Sequence, residues 1–427
     1  MNIPEKSLPR IVIVGGGFAG ISMAKLLGSL KAQVVLVDGH NYHTFQPLLY
    51  QVSTGGLEPD SIAYPIRKIL KDLDNFHFRW ADVKSVDPTN KMIRTDKGVL
   101  SFDYLILATG TRTNFFGNDQ IRKHTLPMKS VPQALDIRSL ILEHLEEADY
   151  ETDAARRKAL MTICVIGAGP TGVELAGAFA ELKRHVFPQD YPHLPVAEME
   201  IHLFEGLDRV LPPMSEYASK KAHEFLEELG VQIHLESFAE RYDGNLLRTN
   251  KGQEFHTVNC IWTAGVTGSL PEGLPEDAIE GRSGRLLVDR CNRVKGLSDV
   301  FAVGDIALMK TPDFPKGHPQ VAQPAIQQGK WLGRNFRLLL TGKKMKDFTY
   351  RDKGTMATVG RNKAVVDLSR GSFAGFLAWL VWIFVHLMAL VGFRNKVIVF
   401  FNWLYNYINY DKATRIILRP YRRNSNK

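Results

Sequence analysis

Two stretches of the chain share one pattern of apolar and polar residues. Each has an apolar run, a cluster of glycines, a segment of helix length, and a second apolar run that ends in an acid. The first spans residues 11–38 and the second spans residues 162–205. Short apolar runs bounded by glycine predict buried parallel strands, and the segment between them predicts a helix. We therefore predict an α/β protein with two Rossmann-like domains.

Further short apolar runs predict additional strands, several of which stop at glycine. The runs are residues 77–80, 91–94, 104–107 and 299–303. The stops are Thr109-Gly110 after residue 107, residues 262–265 at the end of the second unit of the pattern, and Gly304-Asp305 after residue 303. This order predicts a second domain inserted into the first. We expect the first domain at residues 1–120 and 282–350, the second at 121–281, and a C-terminal region at 351–427.

The two glycine clusters predict two bound dinucleotides. Glycine allows the tight turn and lets backbone amides at a helix N-terminus approach a pyrophosphate. Asp38 and Glu205 end the second strands, where a carboxylate accepts hydrogen bonds from a ribose diol and repels a 2′-phosphate. The spacing to Glu205 is longer, because residues 185–195 extend the helix–strand connection. Such turns also occur in purely structural α/β units, but two complete copies favour electron transfer between two dinucleotides.

Composition and cysteine usage exclude several classes of protein. The chain has 427 residues, 44% of them hydrophobic, a formal net charge of +9, and three cysteines. No two cysteines form a C-x-x-C pair, so we predict neither a redox dithiol nor an iron–sulfur site. The histidines are scattered, and we predict no metal. Only ten residues precede the first apolar run, so we expect no cleaved leader and a cytoplasmic body.

The C-terminal region predicts attachment to a membrane surface. Residues 373–393 carry no formal charge, and residues 397–408 mix aromatic side chains with asparagine. We expect an in-plane anchor at the headgroup boundary, with a membrane span and a buried dimer helix as alternatives. The basic tail favours anionic lipid over nucleic acid, although a solvated tail is the simpler alternative. The tail residues are Lys412, Arg415, Arg419, Arg422, Arg423 and Lys427.

These motifs resemble those of the flavoprotein oxidoreductases with two dinucleotide-binding domains, over residues 10 to about 345. Within them the chain resembles the type II NADH dehydrogenases, the single-subunit NADH:quinone oxidoreductases. The matching stretches are residues 15–20, 41–50, 108–110, 167–177, 304–305 and 322–329. The resemblance implies FAD and NAD as cofactors and a membrane quinone as the acceptor. It also implies a non-pumping, respiratory-chain homodimer at the cytoplasmic face of the inner membrane.

The fingerprints and the resemblance together assign binding residues. For FAD they are Gly15, Gly17, Phe18, Ala19, Gly20, Asp38, Gln46, Pro47, Leu48, Thr109, Gly110, Asp305 and Gln323. For NADH they are Gly167, Gly169, Pro170, Thr171, Gly172, Glu174, Glu205 and Gly265.

Three of the chain's residues are predicted to act in catalysis. Glu174 lies early in the second fingerprint helix, where an acid also suits the helix dipole. The resemblance implies that it positions NADH or relays a proton. Gln323 and Gln327 are four residues apart and share a helix face, with Pro324 at the first helical position and Gln323 as the N-cap. A polar surface helix is the alternative, but the resemblance favours contact with flavin and quinone.

Two rival functions follow from the same motifs. A sulfide:quinone oxidoreductase would need cysteines beside the flavin, and only Cys260 and Cys291 could supply a pair. A flavin-bound redox sensor without turnover would use the same folds to bind partners. Rapid turnover of NADH would distinguish the enzyme from the sensor.

Overall fold

The chain folds into two compact units, each built around its own parallel sheet. The structure is a computed structural model that describes residues 1–5, 7–409 and 414–418. The first unit comprises residues 1–44, 64–112 and 266–353, and the second comprises residues 45–63, 113–265 and 354–427. The predicted α/β class is confirmed, because each unit contains a strand–glycine turn–helix–strand motif of the Rossmann type.

The first unit centres on a five-stranded parallel sheet. Its strands, in spatial order, are Val300–Ala302, Tyr104–Leu107, Arg10–Val14, Gln33–Asp38 and Phe76–Trp80. The register pairs Val14 with Val37 and with Leu107, so the turns that follow these strands share one sheet edge. Apolar side chains from both faces of the sheet form two buried clusters. Ligand-binding turns are expected at this edge.

Smaller elements complete the first unit. Its helices are Phe18–Leu27, Ile66–Ile69 and Ala322–Leu339, with 3₁₀ turns at Glu276–Ala278 and Gly304–Ile306. Its other strands are Tyr42–Thr44, Val83–Asp87, Met92–Thr95, Gly98–Ser101, Val266–Gly268, Ile279–Glu280, Arg285–Leu287 and Ala307–Leu308.

The second unit repeats the arrangement with a second five-stranded parallel sheet. Its strands, in spatial order, are Leu126–Pro127, Asn259–Trp262, Ile163–Ile166, Ile201–Phe204 and Gln232–His234. Two antiparallel sheets accompany it, formed by Ala239–Tyr242, Leu246–Thr249 and Glu254–His256, and by Thr355–Thr358, Ala364–Leu368 and Gly371–Ala374. Its helices are Leu49–Ser53, Pro59–Ile62, Asp119–His124, Val131–Tyr150, Ala154–Met161, Pro170–His185, Phe187–Asp190, Glu216–Glu228, Phe376–Ala389 and Phe393–Asn409.

The last two helices carry the apolar C-terminal sequence. We call Phe376–Ala389 the apolar helix and Phe393–Asn409 the C-terminal helix. They leave many large apolar side chains exposed, namely Phe376, Leu377, Leu380, Phe384, Val385, Met388, Phe393, Val397, Phe400, Phe401, Leu404, Tyr405 and Ile408. Among the described helices, none combines the length and the apolar character needed to cross a bilayer. Apart from Arg415, which pairs with Asp190 at 2.7 Å, the basic tail residues lie outside the described residues.

Candidate functional site

The first glycine turn is shaped for close approach of a phosphate. Gly15 has a φ of 108°, and a Cβ there would lie 2.3 Å from the Ala108 carbonyl oxygen, so no side chain fits. The helix that follows has Gly17 as its N-cap and no capping side chain, which leaves its first amides for a ligand. Phe18 and Ala19 open this helix, and Gly20 lies in its first turn.

The carboxylate of Asp38 is oriented by hydrogen bonds to the first glycine turn and to the residues that follow Asp38. Its carboxylate accepts hydrogen bonds from the Gly16 amide at 2.5 Å and from the His40 amide at 2.6 Å. The next residues also support the turn, because His43 is buried and its Nδ1 lies 2.9 Å from the Gly16 carbonyl oxygen. These bonds hold the carboxylate at the end of its strand, where the ribose of a dinucleotide would lie.

The residues of the first unit fit FAD. A Cβ on Gly17 or Gly110 would meet no protein atom within 4 Å, so open space lies beside the turn. Thr109 Oγ1 is buried and has no hydrogen-bond partner among the described residues. A buried hydroxyl without a partner is uncommon in folded proteins, and a polar ligand would satisfy it.

Gly304-Asp305 lies between two helices of the first unit. A Cβ on Gly304 would come within 3.2 Å of the Ala19 side chain and 3.3 Å of the Ala325 side chain. The buried Gln328 accepts a hydrogen bond from the Gly304 amide at 2.7 Å. Asp305 follows at the start of a 3₁₀ turn and is part-buried.

Helix Ala322–Leu339 begins earlier than the sequence predicts. Its N-cap is Val321, so Gln323 is the second helical residue rather than the N-cap, and Pro324 is the third rather than the first. The prediction of Gln323 as N-cap is therefore wrong. Proline is tolerated anywhere in the first turn because those amides have no partner within the helix, and its position therefore does not fix the start. Gln327 is bonded to the backbone of Arg351, donating at 2.9 Å and accepting at 3.1 Å.

The second glycine turn reproduces the first one closely. Gly167 has a φ of 103°, and a Cβ there would lie 2.7 Å from the Ala264 backbone. Gly169 is an N-cap without a capping side chain, a Cβ on it would meet nothing within 4 Å, and Pro170 begins the helix. Thr171 is exposed, whereas Gly172 is buried against the Gly167 carbonyl. The turn therefore leaves the same open space beside a helix N-terminus.

Glu205 is held by backbone amides on both of its oxygens. It accepts from the Ala168 amide at 2.8 Å and from the Leu207 amide at 3.1 Å. The long helix–strand connection therefore still brings the carboxylate back to the glycine turn. Gly265, with a φ of 68°, follows the neighbouring strand, and a Cβ on it would collide with the Phe116 ring.

Glu174 lies in the wall of a cleft in the second unit. The residue is 7% exposed, and burial raises the pKa of its carboxyl from 4.5 to about 8, against smaller opposing effects of the Thr358 amide and the Trp382 indole. The Thr358 amide is 3.5 Å away. Glu174 is therefore predominantly protonated at neutral pH and can donate a hydrogen bond or a proton.

Five tryptophan and tyrosine residues are among those that line the cleft beside Glu174. Its empty volume, which includes space open to solvent, is about 910 Å³, and these five residues are Tyr50, Trp379, Trp382, Trp403 and Tyr407. Trp382 stacks on His386 with ring centroids 4.1 Å apart, and burial lowers the pKa of His386 to about 4. Such a cleft suits a flat apolar ligand with a few polar groups. Gln46, Pro47 and Leu48 form the 3₁₀ turn that leads to Tyr50 in the same unit.

Sequence reasoning missed several residues of these sites. His43, Tyr50 and Gln328 all fall inside or beside the family-like stretches, so their position in a motif was the available signal. The sequence assigns Trp382 and Trp403 only to the region predicted to attach to the membrane. Their place in the cleft depends on contacts with residues more than 300 positions away in the chain, which no local pattern encodes.

The cysteines do not form a redox pair beside a glycine turn. Cys164 and Cys260 are buried partners on neighbouring parallel strands, and burial raises the pKa of both thiols. Cys291 is part-buried, and its Sγ lies 3.8 Å from the Lys346 carbonyl oxygen. Cys164 and Cys260 serve as packing residues of the sheet.

Two family models cover most of the chain. The pyridine nucleotide-disulphide oxidoreductase model matches residues 9–329, and the NDH2 C-terminal domain model matches residues 353–409. The type II NADH:quinone oxidoreductase Ndh of Mycobacterium tuberculosis is 34% identical over 414 residues, which is 94% of this chain and 88% of that protein.

Solved structures show the same fold. The NDH2 of Plasmodium falciparum in complex with NADH aligns with a TM-score of 0.87 and 21% identity, covering 96% of this chain and 100% of that one. The sulfide:quinone oxidoreductase of Aquifex aeolicus aligns with a TM-score of 0.72 and 17% identity, over 91% and 92% of the two chains.

Proposed function

This chain belongs to the type II NADH:quinone oxidoreductases, and we propose that it passes a hydride from NADH to FAD and then two electrons to a membrane quinone, without pumping protons. The membership confirms the predicted oxidoreductase class and the cofactors FAD and NAD. The enzyme is further proposed to be a homodimer attached to the cytoplasmic face of the inner membrane.

The observation that carries the proposal is the pair of matched glycine turns. In each one a glycine with φ above 100° makes the turn, and the strand-end carboxylate accepts a hydrogen bond from a turn amide. FAD, when bound, accepts a hydride and releases electrons to a second substrate. The residues of the chain bind and orient: Asp38 and Glu205 hold ribose hydroxyls, and the uncapped helix ends hold pyrophosphates.

The cleft and the exposed apolar surface support a lipid-soluble acceptor. The aromatic rings of the cleft offer flat contacts to a quinone ring. Trp379 and Trp403, which line the cleft, also belong to the two helices whose outer faces expose large apolar residues. An apolar face of that size suits the lipid interface, from which a quinone would enter laterally. Arg394 and Lys396, on the C-terminal helix, would favour anionic lipid.

Anaerobic stopped-flow absorbance in the visible flavin band tests the proposal. The purified protein is mixed first with NADH and then with a short-chain quinone. Fast bleaching followed by fast recovery is the expected result. A protein that does not bleach with NADH is not this enzyme, and sulfide would be tested next. A pH-sensitive dye inside proteoliposomes should report no change of internal pH during turnover.

A further inference from the structure

A row of polar residues attaches the C-terminal helix to the segment 51–63. Asn395, Asn402, Trp403 and Asn406 recur at helical spacing and so share one face, opposite the exposed apolar residues. Their hydrogen bonds run from Asn395 to the Ser61 carbonyl (3.0 Å), from Asn402 to Glu58 (2.8 Å), from Trp403 to Gln51 (2.7 Å), and from Asn406 to the Gly56 carbonyl (3.1 Å). A helix that is apolar on its outer face is thus fixed by directional polar bonds on its inner face.

One of these bonds continues into the cleft. The Trp403 indole N–H donates to Gln51 Oε1 at 2.7 Å, and Gln51 Nε2 donates to the Tyr50 hydroxyl oxygen at 2.9 Å. The indole bond fixes the orientation of the Gln51 amide, because the amide oxygen must face Trp403 and the NH₂ group must then face Tyr50. The Tyr50 hydroxyl is therefore held as an acceptor.

The hydrogen of the Tyr50 hydroxyl has no acceptor among the described residues. A phenol that accepts one bond still has its own hydrogen to donate, and Gln51 is the only described side chain bonded to this oxygen. Tyr50 is buried and lines the same cleft as Glu174, and the Trp382 ring packs edge-on against its ring. Burial is the main cause that raises the pKa of Tyr50, and the nearby Glu174 adds to it, so the phenol stays protonated.

We propose that the Tyr50 hydroxyl hydrogen-bonds a quinone oxygen in the cleft and protonates it, and that Gln51 and Trp403 are positioning residues for this hydroxyl. The inference rests on the proposed function, because it needs a quinone as the electron acceptor. It makes the lipid-facing C-terminal helix part of the reaction geometry and not only an anchor.

The proton balance of the step is complete. Reduction of a quinone to a quinol adds two electrons and two protons. Bound FAD would supply the two electrons and one proton, because all three arrive together as the hydride of NADH. The second proton leaves the Tyr50 hydroxyl, whose O–H bond breaks as the quinol O–H bond forms. The Glu174 carboxyl, neutral at pH 7 and in the same cleft, returns a proton to the phenolate and is recharged from solvent.

The experiment compares Y50F, W403F and the control N402A in the full-length holoenzyme. Y50F removes only the hydroxyl. W403F removes the indole donor together with part of a ring that lines the cleft, and N402A removes a bond of the same helix that does not reach the cleft. We expect Y50F to slow flavin reoxidation by a short-chain quinone by about 100-fold and to lower its solvent deuterium isotope effect. W403F should lower kcat/KM for quinone roughly five-fold, and N402A should change it less than about two-fold.

Two further measurements separate positioning from simple loss of structure. Quenching of tryptophan fluorescence gives the Kd of the quinone, which Y50F should raise several-fold. In the double variant Y50F/W403F the W403F change should have a smaller effect than it has alone, because the hydroxyl that it positions is absent. The inference would be overturned if the effects of Y50F and W403F multiplied in the double variant. Equal effects of N402A and W403F would also overturn it, as would wild-type quinone kinetics of Y50F. If NADH did not bleach the flavin of the wild-type protein, the proposed function itself would be rejected.

Discussion

Replacing Glu174 by glutamine should remove a pH-dependent loss of stability. The carboxyl is buried in the cleft, and burial raises its pKa from 4.5 to about 8. The folded protein therefore binds this proton more tightly than the unfolded chain does. Glutamine has nearly the same shape and does not ionise, so the variant should keep its stability where the wild-type protein must bury a charge.

The direction and the size of the effect follow from the two pKa values. Because the folded value is the higher one, the stabilising contribution is complete below pH 4.5 and is lost as the pH rises through about 8. With about 1.4 kcal/mol per pKa unit, a shift from 4.5 to about 8 gives a loss of at most about 5 kcal/mol in the free energy of unfolding. At pH 5 ionisation of Glu174 should therefore cause little difference between the free energies of unfolding of E174Q and the wild-type protein.

Thermal unfolding followed by circular dichroism between pH 5 and 9 measures the difference. The Tm of E174Q relative to wild type should rise steadily with pH and level off above about pH 8. A constant offset between the two Tm curves across this range would refute the reasoning, because it would mean that Glu174 keeps an ordinary pKa. The same variant also tests its assignment as a proton carrier, since glutamine cannot return a proton to Tyr50.

Three further changes test the nucleotide sites and the membrane face. G17A should leave the fold intact, because its Cβ would meet no protein atom within 4 Å, and it should lower the amount of bound flavin per protein at least ten-fold. The control G281A, at a glycine with equally open surroundings, should keep the full amount of flavin. E205Q should lower the KM for NADPH relative to NADH by roughly ten-fold, because a 2′-phosphate is no longer repelled; an unchanged ratio would assign ribose selection to another residue. F384E/F393E, at side chains 65% and 83% exposed, should abolish sedimentation with anionic vesicles and keep reduction of a soluble dye; equal loss of both would contradict lateral quinone entry.

The two nucleotide-binding motifs could be predicted from the sequence because their determinants are local. The turn after residue 14 requires a glycine at 15 because φ there is 108°, and the same is true of residue 167, where φ is 103°. An apolar run, a turn and a helix N-terminus are adjacent in sequence, and the paired strand ends then bring Asp38 and Glu205 to those turns. The start of helix Ala322–Leu339 is not determined locally in this way, because Pro324 suits several positions of a first turn.

The cleft was decided only by the tertiary structure. Gln51 and Trp403 are hydrogen-bonded although they are 352 residues apart in the chain. Glu174 and Thr358 are in contact although they are 184 residues apart. In the sequence, Trp382 and Trp403 look like any aromatic residues of a membrane surface, and Tyr50 looks like part of a loop. Hydrophobic pattern determines which faces of a helix are apolar, but not which segment the polar face will meet. That choice depends on the packing of the whole unit, and it is what places Tyr50 and Glu174 in one cavity.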